Sequence, residues 1–412
     1  MTKKVFAKKD LPHRFNYYIC SEFHIKNKTD IKQIQNLIQI VMKKAYNFNA
    51  GPCVLPKQAI ENTIKALYDF DNTGIGIAEI SHRTPGWEKL MADTRQLWRD
   101  LLNIPAEYEV LFLGGGASTG FMNVPANLLN KKAAYLQTGV WAKKAAKEAK
   151  LFGETVIVAS SEDKTYTYIP KGWTVPADAD YFHITTNNTI YGTEIRKDFN
   201  ASEINNVMLV ADMSSDIMSR PVDVKKYGLI YAGAQKNVGP AGVTVYIVKK
   251  DILGKITDRQ YMNPLPTMVD FRTHAAEEAK NISMFNTPPV INIYMMYETL
   301  KWVKETIGGV AEMEKINLKK SAMLYEEIDR NSMFIGTAEK DSRSIMNHCF
   351  VMAPGHEDLQ DAFMAFAKER GMVGIKGHRS VGGFRASLYN ACPIEAVEAL
   401  VQCMQDFEKA NK

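Results

Sequence analysis

From about residue 60 onward, amphipathic helical stretches alternate with short apolar runs, a pattern that predicts a largely parallel sheet flanked by helices. The apolar runs place strands over residues 110–113, 133–137, 155–159, 181–185, 207–211, 229–232 and 243–248. Seven strands suit one large α/β domain. A helix rich in Ala and Lys, over 141–152, falls between the second and third strands, as a right-handed crossover requires. A turn-rich segment at 286–289 precedes a long helix over 290–306 that bridges to a second unit. The remainder reads as a small α+β domain: a strand over 348–352, a helix over 359–370, a strand over 384–388 and a helix over 393–410. The expected division is a large domain over 61–305 and a small C-terminal one over 306–412, with 42–60 as an N-terminal segment of the small domain. There is no internal repeat and no low-complexity tract.

Residues 1–41 do not lead into this pattern. They are polar and basic with scattered aromatics, and they read as an appendage, with a short helix over 31–41 as one option and Met42 as a candidate natural start. They also explain the charge. The chain of 412 residues is formally +5, but 1–41 contain eight Lys/Arg against three acids, leaving 43 basic and 43 acidic residues for the rest. A body that is formally neutral shows no basic footprint for phosphodiester backbones, which argues against nucleic-acid binding. The 46% hydrophobic content is ordinary for a folded soluble chain of two or three domains. Cys20, Cys53, Cys349, Cys392 and Cys403 are odd in number and widely spaced, without a C-x-x-C pair or a His at metal-ligand spacing, so they read as reduced, mostly buried thiols and imply no metal. No apolar run approaches the roughly 20 residues that cross a bilayer, and no signal-type apolar block stands at the N-terminus. A cytoplasmic address is the default expectation.

Three stretches carry candidate chemistry. In 207–215 an apolar strand ends in Asp212, and strand C-termini line the ligand crevice of open α/β sheets. Taken alone, Asp212 is equally a helix N-cap or a loop acid. In 231–242, Lys236 follows another apolar strand among small residues that let a bulky ligand approach the backbone. Partial desolvation there would lower its pKa and free a neutral amine for Schiff-base chemistry, although a lone lysine of this kind is more commonly solvated. Together the two are specific. Pyridoxal phosphate (PLP) needs an amine for its aldehyde and an acid that keeps its ring nitrogen protonated. The third stretch, 112–120, is a strand, a glycine turn and a helix start, whose exposed N–H groups suit a phosphate. It fits a dinucleotide fingerprint poorly, because the glycine spacing is wrong and no acidic ribose reader follows about 20 residues on.

With these residues in view, the chain resembles the phosphoserine aminotransferases, a family in the class V branch of the PLP fold-type I enzymes. The resemblance runs over 46–408 and rests on YNFNAGP (46–52), SHR (81–83), GGGAST (114–119), ADMSSDIMSRP (211–221), YAGAQKNVGPAG (231–242), FNTPP (285–289) and KGHRSVGGFRAS (376–387). It implies a large domain with a mostly parallel seven-stranded sheet plus a small α+β domain. It also implies PLP held by Lys236 as a Schiff base, with Asp212 on the pyridinium nitrogen. Trp141 is then similar to the family's ring-stacking aromatic. Ala117, Ser118 and Gln235 resemble cofactor-phosphate contacts, and Thr189 the residue on the ring-hydroxyl side. Asn286 and Thr287 resemble residues that reach the phosphate of a neighbouring subunit, which implies a homodimer. Arg385 is similar to the arginine that grips the substrate α-carboxylate with paired hydrogen bonds. His82, Arg83, His378 and Arg379 match the cluster that receives a substrate phosphate or the distal carboxylate of glutamate.

The activity so implied is reversible amino transfer from L-glutamate to 3-phosphohydroxypyruvate, giving O-phospho-L-serine and 2-oxoglutarate, in serine biosynthesis. The phosphorylated threonine analogue of vitamin B6 biosynthesis, 4-phosphohydroxythreonine, is a second candidate substrate. The alternatives are another class V enzyme such as a cysteine desulfurase, or a PLP-binding protein without catalysis. Desulfurases resemble one another in a His before the lysine and a His stacked on the ring, where this chain has Gln235 and Trp141. Two features depart from the family pattern: the basic extension before Met42, and a longer stretch over 274–281 ahead of FNTPP.

Overall fold

The computed structural model describes residues 45–254, 264–276 and 278–412. The basic stretch 1–41, Cys20, the candidate helix over 31–41 and Met42 lie outside the described residues. A short strand β1 (Tyr46–Asn47) is followed by two helices, α1 (Lys57–Tyr68) and α2 (Pro85–Leu102). Helix α2 begins at Thr84, whose hydroxyl accepts the Trp87 N–H at 3.4 Å, with Pro85 in the first turn where a missing N–H costs nothing. It stops at Asn103, which turns left-handed at φ 50°. Trp87, Leu90, Met91, Trp98 and Leu101 recur three and four apart and are all buried, so one stripe of α2 faces the core.

Strands and helices then alternate through β2 (Tyr108–Gly115), α3 (Ala117–Leu128), β3 (Lys132–Gln137), α4 (Val140–Ala149) and β4 (Glu154–Ser160), after which β5 (Tyr181–Thr185), β6 (Leu209–Asp212), β7 (Leu229–Gly233) and β8 (Gly242–Lys249) follow without an α-helix between them. All seven strands expected from the apolar runs are present, in one sheet ordered β2–β8–β7–β6–β5–β3–β4. Only β8 runs against its neighbours, β2 and β7. Because both faces of the sheet are covered, its strands are apolar on both sides: Val110 and Phe112 enter one core, Leu111 and Leu113 the other. The run at 207–211 pairs from Leu209 and extends one residue further, so that Asp212 closes the strand between Thr185 and Tyr231.

The bridging helix is α5 (Val290–Lys301), which widens into a π-helical turn at Trp302–Ile307. The longer stretch before FNTPP folds into two short helical turns, Phe271–Ala275 and Ala279–Asn281, and the Ser283 N–H closes back on the His274 carbonyl at 2.8 Å. The next helix, α6 (Val310–Arg330), spans 21 residues and no sequence expectation named it. Its apolar stripe is interrupted by Asn317, Lys320 and Ser321, all buried, so its periodicity is weak in the sequence. Val310 and Met313 at its start pack into the core of the large sheet, whereas Leu324 and Ile328 belong to a separate core.

That separate core is built on β9 (Phe334–Gly336), β10 (Asn347–Met352), α7 (Gln360–Glu369), β11 (Met372–Val373), β12 (Phe384–Ser387) and α8 (Ile394–Asn411). Strands β9, β10 and β12 form an antiparallel sheet. Phe334, Phe350, Phe363, Phe384 and Phe407 fill its interior edge to face. Phe48 joins them, because β1 pairs with β11 through Tyr46 and Met372. Among the described residues no helix is long and apolar enough to cross a membrane.

Candidate active site

Strands β2, β5, β6 and β7 end on the same edge of the sheet, and their C-terminal ends open a cavity of about 310 Å³. Several separate parts of the chain close it. The turn after β2 brings Gly116, Ala117 and Ser118, and the start of α4 brings Trp141. Strand ends supply Thr185 and Asp212, with Gln235 and Lys236 just beyond β7. Thr189, His378 and Arg385 complete the far wall.

The turn after β2 needs its glycine. Gly115 has φ +121°, and a Cβ there would stand 2.2 Å from the Thr119 hydroxyl, so the N-terminus of α3 can face the cavity only with a bare backbone at this position. A second close approach holds the helix down: a Cβ on Gly120 would stand 2.6 Å from the Tyr231 ring on β7.

Asp212 is buried at the end of β6. Its Oδ1 accepts from the Ser214 N–H at 2.9 Å and from the Ser214 hydroxyl at 2.6 Å, and that hydroxyl also accepts the Gly233 N–H at 3.0 Å. Burial pushes the Asp212 carboxyl upward, opposed by the two Ser214 bonds and by the charge of Lys236. Lys236 points its Nζ at Thr189 Oγ1, 2.7 Å away. Loss of solvent draws its pKa down to about 8, with the Arg385 guanidinium acting in the same direction and Asp212 resisting. Arg385, on β12, donates from Nη1 to the Thr189 carbonyl at 3.3 Å, while its Nε is buried without a protein partner. His378 shares a 2.7 Å bond with Ser380; burial lowers its pKa first, then the positive field of Arg385, Arg379 and Lys144.

The cavity leaves a ligand polar groups to meet: among the described residues, buried Trp141 Nε1, Gln235 Oε1 and Arg385 Nε have no protein partner, and all three residues line it. The α3 N-terminus offers backbone N–H groups to a phosphate, and one basic amine sits beside one buried carboxylate. Of the residues singled out by sequence, Ala117, Ser118, Trp141, Thr189, Asp212, Gln235, Lys236, His378 and Arg385 meet here. His82, Arg83, Arg379, Asn286 and Thr287 do not line the cavity of their own chain; His82 is half-buried and the other four are exposed. The sequence reading missed Ser214, Thr185, Asn187 and Ile190. Ser214 carried a usable signal, since a Ser two residues after an Asp commonly closes an Asx turn. The other three had none: Thr185 and Asn187 come from strand residues and Ile190 from the turn after them.

Comparison with known proteins agrees with this geometry. The aminotransferase class-V family matches residues 45–400. The phosphoserine aminotransferase of Bacteroides thetaiotaomicron is 60% identical over 89% of this chain and 100% of its own length, and that of Bacteroides fragilis 58% over the same shares. Among solved structures, the phosphoserine aminotransferase of Bacillus circulans subsp. alkalophilus superposes with a TM-score of 0.83 at 43% identity, covering 90% of this chain and 99% of that one. The PLP-bound phosphoserine aminotransferase of Trichomonas vaginalis superposes at 0.81 and 37% identity, covering 88% and 100%. The chain belongs to the class V aminotransferases, which are PLP-dependent enzymes, and within them to the phosphoserine aminotransferase family.

Proposed function

We propose that the protein transfers the amino group of L-glutamate to 3-phosphohydroxypyruvate, reversibly, and that Lys236 is the residue that holds PLP and moves the proton. The observation that carries this reading is a buried amine with a pKa of about 8 sharing one cavity with a buried carboxylate and a guanidinium. When bound, the cofactor supplies an electrophilic aldehyde carbon and an electron-withdrawing pyridine ring.

The protein's own groups do the rest. With the cofactor bound, Lys236 Nζ would be the base that takes the proton from the substrate α-carbon; at a pKa of about 8 it is strong enough to accept it and neutral often enough to do so near pH 7 to 8. Asp212, fixed by Ser214, would hold a proton on the ring nitrogen as its hydrogen-bond acceptor. Trp141 would give the ring a flat wall. Ala117, Ser118 and Gln235 would hold the phosphate, and Thr189 would bond the ring-hydroxyl side. Arg385 binds the substrate α-carboxylate through the edge of its guanidinium that lacks a protein partner.

The distal anion needs more cations than one chain brings to the cavity. His378 and Arg379 come from this chain, and His82 and Arg83 from a second copy, whose Asn286 and Thr287 also reach the cofactor phosphate. All four of those second-copy residues, like Arg379, stand off the cavity of their own chain, and a homodimer with shared sites would bring the four to it. One dianionic pocket then accepts glutamate, phosphoserine and, as a further substrate, 4-phosphohydroxythreonine. The reading carries with it a cytoplasmic enzyme of serine biosynthesis.

A panel of half-reactions tests it: purified enzyme is mixed with glutamate, phosphoserine, serine, alanine or cysteine and followed by its cofactor absorbance. Glutamate and phosphoserine should convert the cofactor to its aminated form, and serine, alanine and cysteine should not do so at comparable rates. Lys236→Ala, saturated with PLP, should retain no covalent cofactor after borohydride. Colour that responds to no amino acid would leave a binding protein, and trapping in Lys236→Ala would remove the lysine from its role.

A further inference from the structure

Between the end of β5 and the antiparallel sheet runs a chain of side-chain hydrogen bonds through buried ground: Asn187, Ser215, Ser344, Asn347 and Ser387 are all nearly inaccessible to solvent. Backbone groups fix its direction. The Ser344 hydroxyl accepts the Met346 N–H at 3.0 Å and the Asn347 N–H at 2.9 Å, which uses both lone pairs and leaves its proton to donate. That proton goes to Asn187 Oδ1, 2.5 Å away. The opposite edge of the Asn187 amide is then its NH₂, and it donates to Asn347 Oδ1 at 2.7 Å and to the Ser215 hydroxyl at 2.8 Å. Asn347 Nδ2 in turn donates to the Ser387 hydroxyl at 2.9 Å and to the Tyr389 hydroxyl at 3.2 Å. Both amides therefore have every N–H accepted and each oxygen supplied with a donor.

One end of this chain belongs to the cavity wall and the other to the strand that carries Arg385. Asn187 lines the cavity two residues before Thr189, and the Ser215 hydroxyl donates back to the Asn187 carbonyl at 2.9 Å, which ties it to the turn after Asp212. Ser387 closes β12 two residues beyond Arg385. The register pairs Asn347 with Ser387 and Cys349 with Arg385, so Ser387 and Arg385 stand on the same face of their strand. The Arg385 guanidinium meets Thr189 through a single Nη1 bond of 3.3 Å to a neutral carbonyl. Where that guanidinium stands depends on where β12 stands.

We propose that Asn187 and Asn347 are positioning residues for Arg385, their amide-to-amide bond holding β12 at the distance from the cavity wall at which the guanidinium meets a substrate carboxylate. The inference rests on the reading of Arg385 as the group that binds that carboxylate. A fully satisfied buried network is rigid, and removing one amide leaves its partners buried without theirs, so the strand shifts or admits water to satisfy them. Paired hydrogen bonds from a guanidinium to a carboxylate tolerate little displacement, and a small shift of β12 is enough to lose one of them.

The test is a double-mutant cycle on holoenzyme with Asn347→Ala, Arg385→Ala and the pair; Asn347 is chosen because, unlike Asn187, it does not line the cavity. Each variant is measured for KM and kcat with glutamate, for calorimetric binding of 2-oxoglutarate to the PLP-loaded enzyme, and for PLP affinity. Asn347→Ala should raise KM for glutamate and the dissociation constant of 2-oxoglutarate about tenfold, with kcat changed less than about threefold and PLP affinity less than about twofold. In the Arg385→Ala background the same substitution should cost less than about twofold. Ser387→Ala, which removes one acceptor at the Arg385 end, should raise both constants about threefold, and it decides by the same cycle if Asn347→Ala does not fold. Wild-type binding of 2-oxoglutarate, losses that simply multiply with those of Arg385→Ala, or PLP affinity falling in step with substrate affinity would overturn the proposal. If Arg385→Ala itself binds 2-oxoglutarate as wild type does, the reading of Arg385 fails instead, so the two failures are told apart.

Discussion

A solvated lysine is mostly protonated below about pH 10.4, which leaves little nucleophilic amine near neutral pH. At position 236, desolvation and the neighbouring Arg385 outweigh Asp212 and bring the pKa to about 8. Only the neutral amine attacks an aldehyde, so the fraction ready to react grows as pH rises through the folded pKa. Stopped-flow capture of PLP by the apoprotein should therefore accelerate with pH, with a midpoint near 8 and a plateau above it. A midpoint near that of free lysine would mean that the burial is not acting. Arg385 is set up differently. It is always charged, and its buried Nε is a donor that no described residue satisfies. Arg385→Ala should lower kcat/KM for glutamate by roughly 10- to 100-fold, the range set by one or two hydrogen bonds to a charged group, while PLP content stays at one per chain. Equal losses in PLP content and activity would mean that Arg385 supports the fold rather than the substrate.

At the scale of single elements, the site depends on how closely α3 lies on the sheet. Its N-terminus can receive a phosphate only while the helix seats against Tyr231, and Gly120 is where the contact is tightest. Gly120→Ala would improve intrinsic helix propensity, yet its methyl has to displace the buried Tyr231 ring, an overpacking that costs about 1 to 3 kcal/mol. The expected outcome is a PLP dissociation constant raised about tenfold and a lower Tm in the same variant, measured by cofactor titration and thermal melting. Unchanged PLP affinity would show that the helix start does not carry the phosphate. Strand ends matter in the same way: Asp212 reaches the cavity because β6 pairs one residue further than its apolar run suggests, between Thr185 and Tyr231.

At the scale of the whole molecule, the residues left off the cavity make their own prediction. Lys236→Ala and a His82→Ala/Arg83→Ala double variant should each be nearly inactive as homodimers. Mixed and allowed to exchange subunits, they should recover roughly a quarter of wild-type activity, because half of the dimers carry one site with every group intact. No recovery, with exchange demonstrated, would place His82 and Arg83 in their own chain's site or outside catalysis. The sequence alone determined the seven strands, the glycine turn, and the pairing of Asp212 with Lys236, because apolar periodicity and short motifs are local properties written within a few residues. It left α6 unannounced, since buried Lys320, Asn317 and Ser321 break the apolar stripe that would have revealed a helix. Only the tertiary structure decided that Thr189 meets the reactive amine and that Lys320 lies among the Leu388, Tyr389, Asn390 and Cys392 carbonyls. A buried polar side chain leaves no periodic trace; its meaning lies in partners as many as 339 residues away, and only folding brings them within hydrogen-bond reach.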